Sequence, residues 1–212
     1  MRRVFIVTLM LLTATALSAQ DLSPDKVMAR LEKELKSAKT LKIDFTETYA
    51  WLQTGTSASV SGTLLLQGEK RFRVETEDQV LVCDGKTVWT YSKADQRLLI
   101  DHLGDNEQQM LPRRMLFHMS KDFDVRSSGA AVLDGVKTVH LRFSARNEAT
   151  LFPKAELWVS TKSWLPVQVI QTDLDDNTTT YRLNLIEKNV EIADDAMTFT
   201  APEGAEVIDM RD

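Results

Sequence analysis

The 212-residue chain is poor in the residues that build disulfides, metal sites and linkers: it has one cysteine, three histidines, eight glycines and five prolines. One cysteine excludes an internal disulfide, so Cys83 is either a buried, inert thiol or a reactive unpaired one, and we expect it to be buried. The few glycines and prolines, with no low-complexity tract, indicate one domain with a sizeable core and no linker.

Patterns that carry catalysis or bind metals are also missing. His102, His118 and His140 fall on separate predicted elements without a catalytic or metal-binding spacing, and the sequence has no Gly-rich phosphate loop or serine-elbow motif. A thiolate at Cys83 needs a base and a positive environment, and neither is evident around it. We therefore expect no enzyme, no metal site and no cofactor.

The first residues, "MRRVFIVTLMLLTATALSAQ", place Arg2 and Arg3 ahead of an apolar run from Val4 to Leu12, which is followed by small residues. This order is typical of a secretory signal peptide, and the run is shorter than the ~20 residues of a membrane span. We expect a signal peptide over residues 1–19 and a single soluble, exported domain over residues 20–212.

Net charge argues against one class of partner. Without Arg2 and Arg3, 24 of the 26 basic residues remain against 31 acidic ones, which gives the exported part a formal charge of −7. Nucleic acid is bound through excess positive charge, so we expect no nucleic-acid partner.

Apolar periodicity predicts one helix followed by many strands. In "LSPDKVMARLEKELKSAKT", Ser23 is a candidate N-cap, Pro24 suits the first helical position, and Val27, Leu31 and Leu35 form one apolar face. In "LKIDFTETYAW" apolar and polar residues then alternate, as in a strand with one buried face. Glu47 interrupts the apolar side, either because it lies at a bulge or open sheet end, or because it has a polar role inside a cavity.

Ten further short strand patterns follow between Ser59 and Glu187, separated by turns such as "QGEK", "DGK" and "LDDNT". Their close spacing predicts an antiparallel meander, and about 11 strands are more than an open twisted sheet usually carries without curling. The exception is "DNEQQMLPRRMLFHMSK", residues 105–121, which predicts a short helical insert interrupted at Pro112. We place His102 and His118 at the surface on either side of it.

The segment "QVLVCDGKTVWTY" predicts a hairpin that turns at Asp84-Gly85. A three-residue loop with a glycine bulge places Val80, Val82 and Val88 on one side, and a two-residue loop changes the cross-strand partners. Both sides of this hairpin are apolar, so each needs a cover.

Several of these segments, in this order, resemble the LolA family of periplasmic outer-membrane lipoprotein carriers: "DFTET", "SGTLLLQGEKRFRVE", "QVLVCDGKTVWTY" and "FTAPEGAEVIDM". The resemblance implies a mainly β fold with a helical lid (α+β). Its expected form is an unclosed antiparallel β-barrel of about 11 strands with an N-terminal helix and a short helical insert over the concave face. One departure is visible, because the family commonly has an arginine followed by proline where this chain has Gly68-Glu69, and that arginine reaches the lid.

On this fold, period-two parity predicts which apolar side chains line the concave, lipid-binding face. They are Phe45, Leu64, Leu66, Phe72, Val74, Leu141, Phe143, Leu157 and Leu183. Met110, Met115, Leu116 and Phe117 of the insert are predicted to cover them as the lid.

The resemblance also implies a function. It implies a monomeric periplasmic chaperone that binds the acyl chains of lipoproteins in an apolar cavity and shuttles them from the inner to the outer membrane. The implied partners are acylated lipoproteins, an inner-membrane lipoprotein-releasing ABC transporter and an outer-membrane receptor lipoprotein. The alternative is a periplasmic lipid- or lipoprotein-binding sensor module on the same scaffold, which binds its ligand without delivering it.

Overall fold

A computed structural model gives the fold and describes residues 23–68, 70–104, 123–147, 150–193 and 195–211. Within these ranges it has one helix, α1, and a 12-stranded sheet. The helix is α1 (Pro24–Lys36), and the strands are β1 (Thr40–Trp51), β2 (Thr56–Gln67), β3 (Arg71–Thr76), β4 (Gln79–Asp84), β5 (Thr87–Ser92), β6 (Arg97–His102), β7 (Phe123–Leu133), β8 (Val136–Ala145), β9 (Lys154–Ser160), β10 (Pro166–Thr172), β11 (Thr178–Lys188) and β12 (Glu206–Asp209). The predicted insert, with Met110, Met115, Leu116 and Phe117, lies outside the described residues.

The strands form one sheet in the order β12-β6-β5-β4-β3-β2-β1-β11-β10-β9-β8-β7. Neighbouring strands are antiparallel except for β12, which runs parallel to β6. β7 and β12 are the two edges of the described sheet, so the mainly β, unclosed architecture agrees with the prediction. The prediction of about 11 strands missed β12, because four residues of "EVID" are too short for alternation to be informative.

The helix begins where the sequence indicates. Pro24 occupies its first turn, and the carbonyl of Ser23 accepts hydrogen bonds from the N–H groups of Lys26 and Val27 at 3.0 and 3.2 Å. Val27, Leu31 and Leu35 are buried along one face. Among the described residues, no helix combines the length and the apolar character needed to cross a bilayer.

The apolar face of α1 packs on one face of the sheet, which we call the inner face. A single core cluster joins this helix to alternate residues of strands at both sides of β1. The helix contacts the edge strand β7 at one side, and its C-terminal Leu35 lies beside Leu66 of β2 at the other. About six strand spacings of 4.8 Å separate β2 from β7, so a single helix reaches both because the sheet curls around it.

The outer face of β4, β5 and β6 has its own apolar cluster, formed by Val80, Val82, Tyr91 and Leu98. Phe199, from the segment that leads to β12, covers it, and its ring centroid lies 5.3 Å from that of Tyr91. The C-terminal segment is therefore the cover that the second apolar side of this hairpin requires.

The turn of this hairpin is the two-residue alternative. Cys83 pairs with Val88, and one carboxylate oxygen of Asp84 accepts hydrogen bonds from the N–H groups of Lys86 and Thr87, both at 2.8 Å. Val88 consequently lies on the inner face with Cys83, whereas the three-residue loop had placed it with Val80 and Val82. That placement was wrong because one residue of loop length inverts the face of the following strand.

Candidate functional site

The nine apolar side chains predicted to line the concave face all lie on the inner face, within the core cluster that contains α1. Eight of them are at most 7% exposed, and Leu183 is half-buried. A bulge in β11 shifts the alternation between Leu183, which pairs with Phe45, and Leu185, which pairs with Asp44, but Leu183 itself stays on the inner face. The structure thus brings these side chains together into one apolar surface under the helix.

A cavity of about 280 Å³ lies where the C-terminal end of α1 meets the first two strands. Leu35, Ala38, Leu41 and Leu66 supply its apolar lining. Gly68 also borders it, with a φ of +62°, and apart from its chain neighbours no atom of the described residues comes within 4 Å of the position its Cβ would take. Within the described part of the chain, the position where the resemblance predicts an arginine is therefore open space beside the cavity.

Two polar contacts attach α1 to the sheet and its turns. Lys188 of β11 donates a hydrogen bond to the Glu34 carboxylate, and this bond together with the lysine charge lowers the pKa of Glu34. The guanidinium carbon of Arg30 lies 4.3 Å from the ring centroid of Trp164, in the turn between β9 and β10. No local pattern in the sequence predicts either contact, because the partners are more than 100 residues apart.

The inner face also carries a group of polar side chains on three neighbouring strands, which we call the polar island. Glu47 pairs with Tyr181 across β1 and β11, while Thr179 pairs with Tyr49 on one side and Gln171 on the other. Directly opposed residues point to the same face, so the five side chains form two adjacent rows.

Glu47 is the acidic member of this island. Burial raises the pKa of its carboxyl, and a hydrogen bond from the Tyr181 hydroxyl partly opposes that rise. The register shift in β1 falls between Asp44 and Phe45 and leaves Glu47 in phase with Phe45 on the inner face. Of the two interpretations of this residue, the structure favours a polar side chain inside the apolar interior.

Cys83 is fully buried, as predicted. Its thiol lies 3.2 Å from the carbonyl oxygen of Lys70, to which it donates, and it accepts from the N–H of Gly85 at 3.3 Å. His140 stacks on Trp158 on the outer face with a centroid separation of 4.2 Å. Across the described ranges, no three His, Cys, Asp or Glu side chains are grouped so that they could hold a metal ion.

Comparison with known proteins decides the family. The model of the family described as outer membrane lipoprotein carrier protein LolA matches residues 36–200. The chain belongs to the LolA family. The matched segment begins at the last residue of α1 and spans β1 to β11, so membership rests on the sheet that carries the inner face.

Individual relatives are distant. The outer-membrane lipoprotein carrier protein of Bordetella avium (strain 197N) is 27% identical over 204 residues, which cover 95% of this LolA-family chain and 94% of that protein. The uncharacterized protein MJ0687 of Methanocaldococcus jannaschii is 23% identical over 192 residues, or 89% of this chain, and the chain spans 55% of that protein's length. An uncharacterized conserved protein from Thermus thermophilus shares the fold with a TM-score of 0.59 at 15% identity, over 87% of this chain and 98% of that one.

Proposed function

We propose that this LolA-family chain is a non-enzymatic periplasmic carrier, which buries the acyl chains of lipoproteins against its inner face and shuttles them from the inner to the outer membrane. The observation that carries the proposal is the large apolar surface that the inner face presents beneath α1. Family membership supports it, and the Bordetella avium relative is named an outer-membrane lipoprotein carrier protein. In this proposal residues 20–212 act as one domain after export, and an inner-membrane transporter loads it.

The driving force is the transfer of hydrocarbon out of water. Each buried methylene contributes about 0.8 kcal/mol, so one long acyl chain represents roughly 10 kcal/mol of gross transfer free energy. Binding is then strongly favourable in free energy, and release is the step that costs free energy, because a carrier must pass its cargo to an acceptor.

Release depends on movement of the cover. The cavity of about 280 Å³ beside Leu35 and Leu66 falls just below the ~300–1,000 Å³ range of small-molecule sites. In this proposal α1 moves away from the sheet to admit a long acyl chain, and the contacts of Glu34 and Arg30 oppose that movement. The predicted lid residues, Met110, Met115, Leu116 and Phe117, complete the cover in this proposal.

The first test measures whether the inner face binds acyl chains. Leu183 and Leu185 lie on the same strand, but Leu183 faces the interior and Leu185 is 48% exposed on the outer face. Leu183→Gln is expected to weaken binding of a fluorescent fatty ester about fivefold, because it removes apolar surface from the binding face. Leu185→Gln is the matched control and is expected to bind like the parent.

The second test measures delivery. The exported chain is incubated with inner-membrane vesicles that carry a triacylated lipoprotein, and the soluble complex is then mixed with outer-membrane vesicles. A carrier is expected to form the soluble complex and to pass the lipoprotein to the acceptor. A complex that forms and never transfers its cargo overturns the carrier proposal and identifies a sensor instead.

A further inference from the structure

The polar island lies within an apolar surface and is built from buried or half-buried groups. Thr179 and Gln171 are 6% and 7% exposed, and Glu47, Tyr49 and Tyr181 are half-buried. Its neighbours toward the C-terminal end of α1 are Phe45 and Leu183, the next inward-facing pair along β1 and β11. The island is therefore continuous with the surface to which the proposed function assigns acyl chains.

Two members of the island have unused capacity to accept hydrogen bonds. The side-chain oxygen of Gln171 is buried and accepts no hydrogen bond within the part of the chain that the structure describes. Glu47 accepts from the Tyr181 hydroxyl, which occupies one of roughly four acceptor sites on a carboxylate. Buried acceptors are normally satisfied in folded proteins, so an unpaired one inside a binding face points to a missing donor.

The chemistry of the island also limits what can bind there. None of its five side chains is basic, and one of them is a carboxyl. A phosphate or carboxylate head group finds no counter-charge among these side chains, whereas an N–H or O–H group finds acceptors.

We propose that the polar island is a head-group subsite, which accepts hydrogen bonds from the amide N–H or hydroxyl groups of an amphiphile whose tail lies along the apolar inner face. The inference rests on the proposed function, because it assumes that the tail binds beside Phe45 and Leu183. It adds a second element to cargo recognition: the apolar face selects for a chain, and Gln171 and Glu47 select for donors at the head of that chain.

The test compares two ligands that share one chain and do not titrate. Oleamide carries an amide donor, and methyl oleate carries none. Displacement of Nile red from the folded protein at pH 7 gives the affinity of each ligand. Because pairing an unsatisfied buried acceptor stabilises a complex, oleamide is expected to bind about tenfold more tightly than methyl oleate.

Two Gln→Met variants test whether the island causes the preference for oleamide. Gln171→Met keeps the length of the side chain and removes one of the two acceptors, so the preference for oleamide is expected to fall at least threefold while methyl oleate binds as it does to the parent. Gln168 lies on the same strand and points to the outer face, where it pairs with Arg182. Gln168→Met is therefore the matched control, and it is expected to keep the tenfold preference.

The outcomes separate this inference from the proposed function. Equal binding of oleamide and methyl oleate to the parent overturns the subsite and leaves the carrier proposal standing. A full preference in Gln171→Met also overturns it. If neither ligand displaces Nile red, the proposed function fails and the subsite fails with it. Should Gln171→Met not fold, Glu47→Met removes the other acceptor and is expected to reduce the preference at least threefold.

Discussion

The ring of Phe45 lies across Gly62, its cross-strand neighbour on β2. A Cβ atom built on Gly62 sits 2.8 Å from Cζ of Phe45 and 2.7 Å from the carbonyl oxygen of Glu75. The absence of a side chain at this position lets the Phe45 ring pack over β2 on the inner face, next to the polar island. The glycine is therefore required by close approach rather than by backbone conformation.

We expect Gly62→Ala to destabilise the fold by about 1–3 kcal/mol, because both the ring and a backbone carbonyl must shift to admit one methyl group. The free energy of unfolding from urea denaturation measures this. Ser61→Ala, at the preceding outward-facing position of β2, is the control and is expected to stay within about 0.5 kcal/mol of the parent. Equal stabilities of the two variants would show that the interior accommodates a methyl group at position 62 without loss of stability.

Cys83 is expected to react slowly with thiol reagents in the folded protein, because it is fully buried and its thiol is engaged by Lys70 and Gly85. Labelling rates in buffer and in denaturing urea measure this directly. Cys83→Ser is expected to cost about 1–3 kcal/mol of stability while leaving amphiphile binding intact, because a shorter hydroxyl replaces the sulfur in a tight apolar site. Native and unfolded labelling rates of similar size would contradict the prediction.

Glu47 is expected to make stability depend on pH in the direction opposite to that of most carboxylates. Its pKa is raised in the folded state by burial, so the folded protein bears a penalty above that pKa, which disappears as the pH falls through it. Glu47→Gln keeps an acceptor for Tyr181 and removes the charge. Its melting temperature is expected to exceed that of the parent at pH 7 and to equal it near the ordinary carboxyl pKa of about 4.

Glu77→Gln serves as the control for this pH series, because Glu77 is exposed in the turn between β3 and β4. We expect its melting temperature to equal that of the parent at both pH values. A Glu47→Gln variant that melts below the parent at pH 7 would mean that the charged carboxylate stabilises the interior.

Local patterns in the sequence were sufficient for α1, for the strands β1 to β11 and for the apolar side of the inner face. Alternation is a strong signal where strands are long and one face is buried, which is why Leu141, Phe143 and Leu157 were assigned correctly to that face. It is a weak signal in the four residues of β12 and around the Asp84 turn, where one residue of loop length decides which side Val88 faces.

The polar island and the attachment of α1 were beyond local patterns. Glu47 contacts Tyr181, and Glu34 contacts Lys188, only once β11 has paired with β1. The role of the insert lies outside the described residues and stays a prediction: Met115→Gln is expected to weaken amphiphile binding if the insert covers the inner face.

The last prediction concerns how α1 is held in a chain that has Gly68 where its family commonly has an arginine. Lys188 on β11 pairs with Glu34 on the helix, and both side chains are about one-third exposed or less, at 28% and 34%. If this pair helps to keep the helix closed, Lys188→Met is expected to speed the exchange of a fluorescent fatty ester about two- to fivefold, the range that a partly exposed ion pair supports.

The matched control is the pair of Lys42 and Glu187, which joins β1 to β11 on the outer face at 3.5 Å and does not touch the helix. Lys42→Met is expected to leave the exchange rate unchanged. Adding 0.5 M salt is expected to speed exchange in the parent and to have little effect on Lys188→Met, since screening weakens a pair that the variant no longer has.

Lowering the pH is expected to speed ligand exchange in the parent, as added salt does. The pKa of Glu34 is lowered in the folded state, so the pair is intact above the ordinary carboxyl pKa and is lost as the pH falls through the lowered value. Parent and Lys188→Met are therefore expected to differ at pH 7 and at pH 5, and to converge in stronger acid. If Lys188→Met and Lys42→Met exchange ligand at the same rate, the Glu34–Lys188 pair does not hold α1, and its apolar face and the Arg30–Trp164 contact are sufficient.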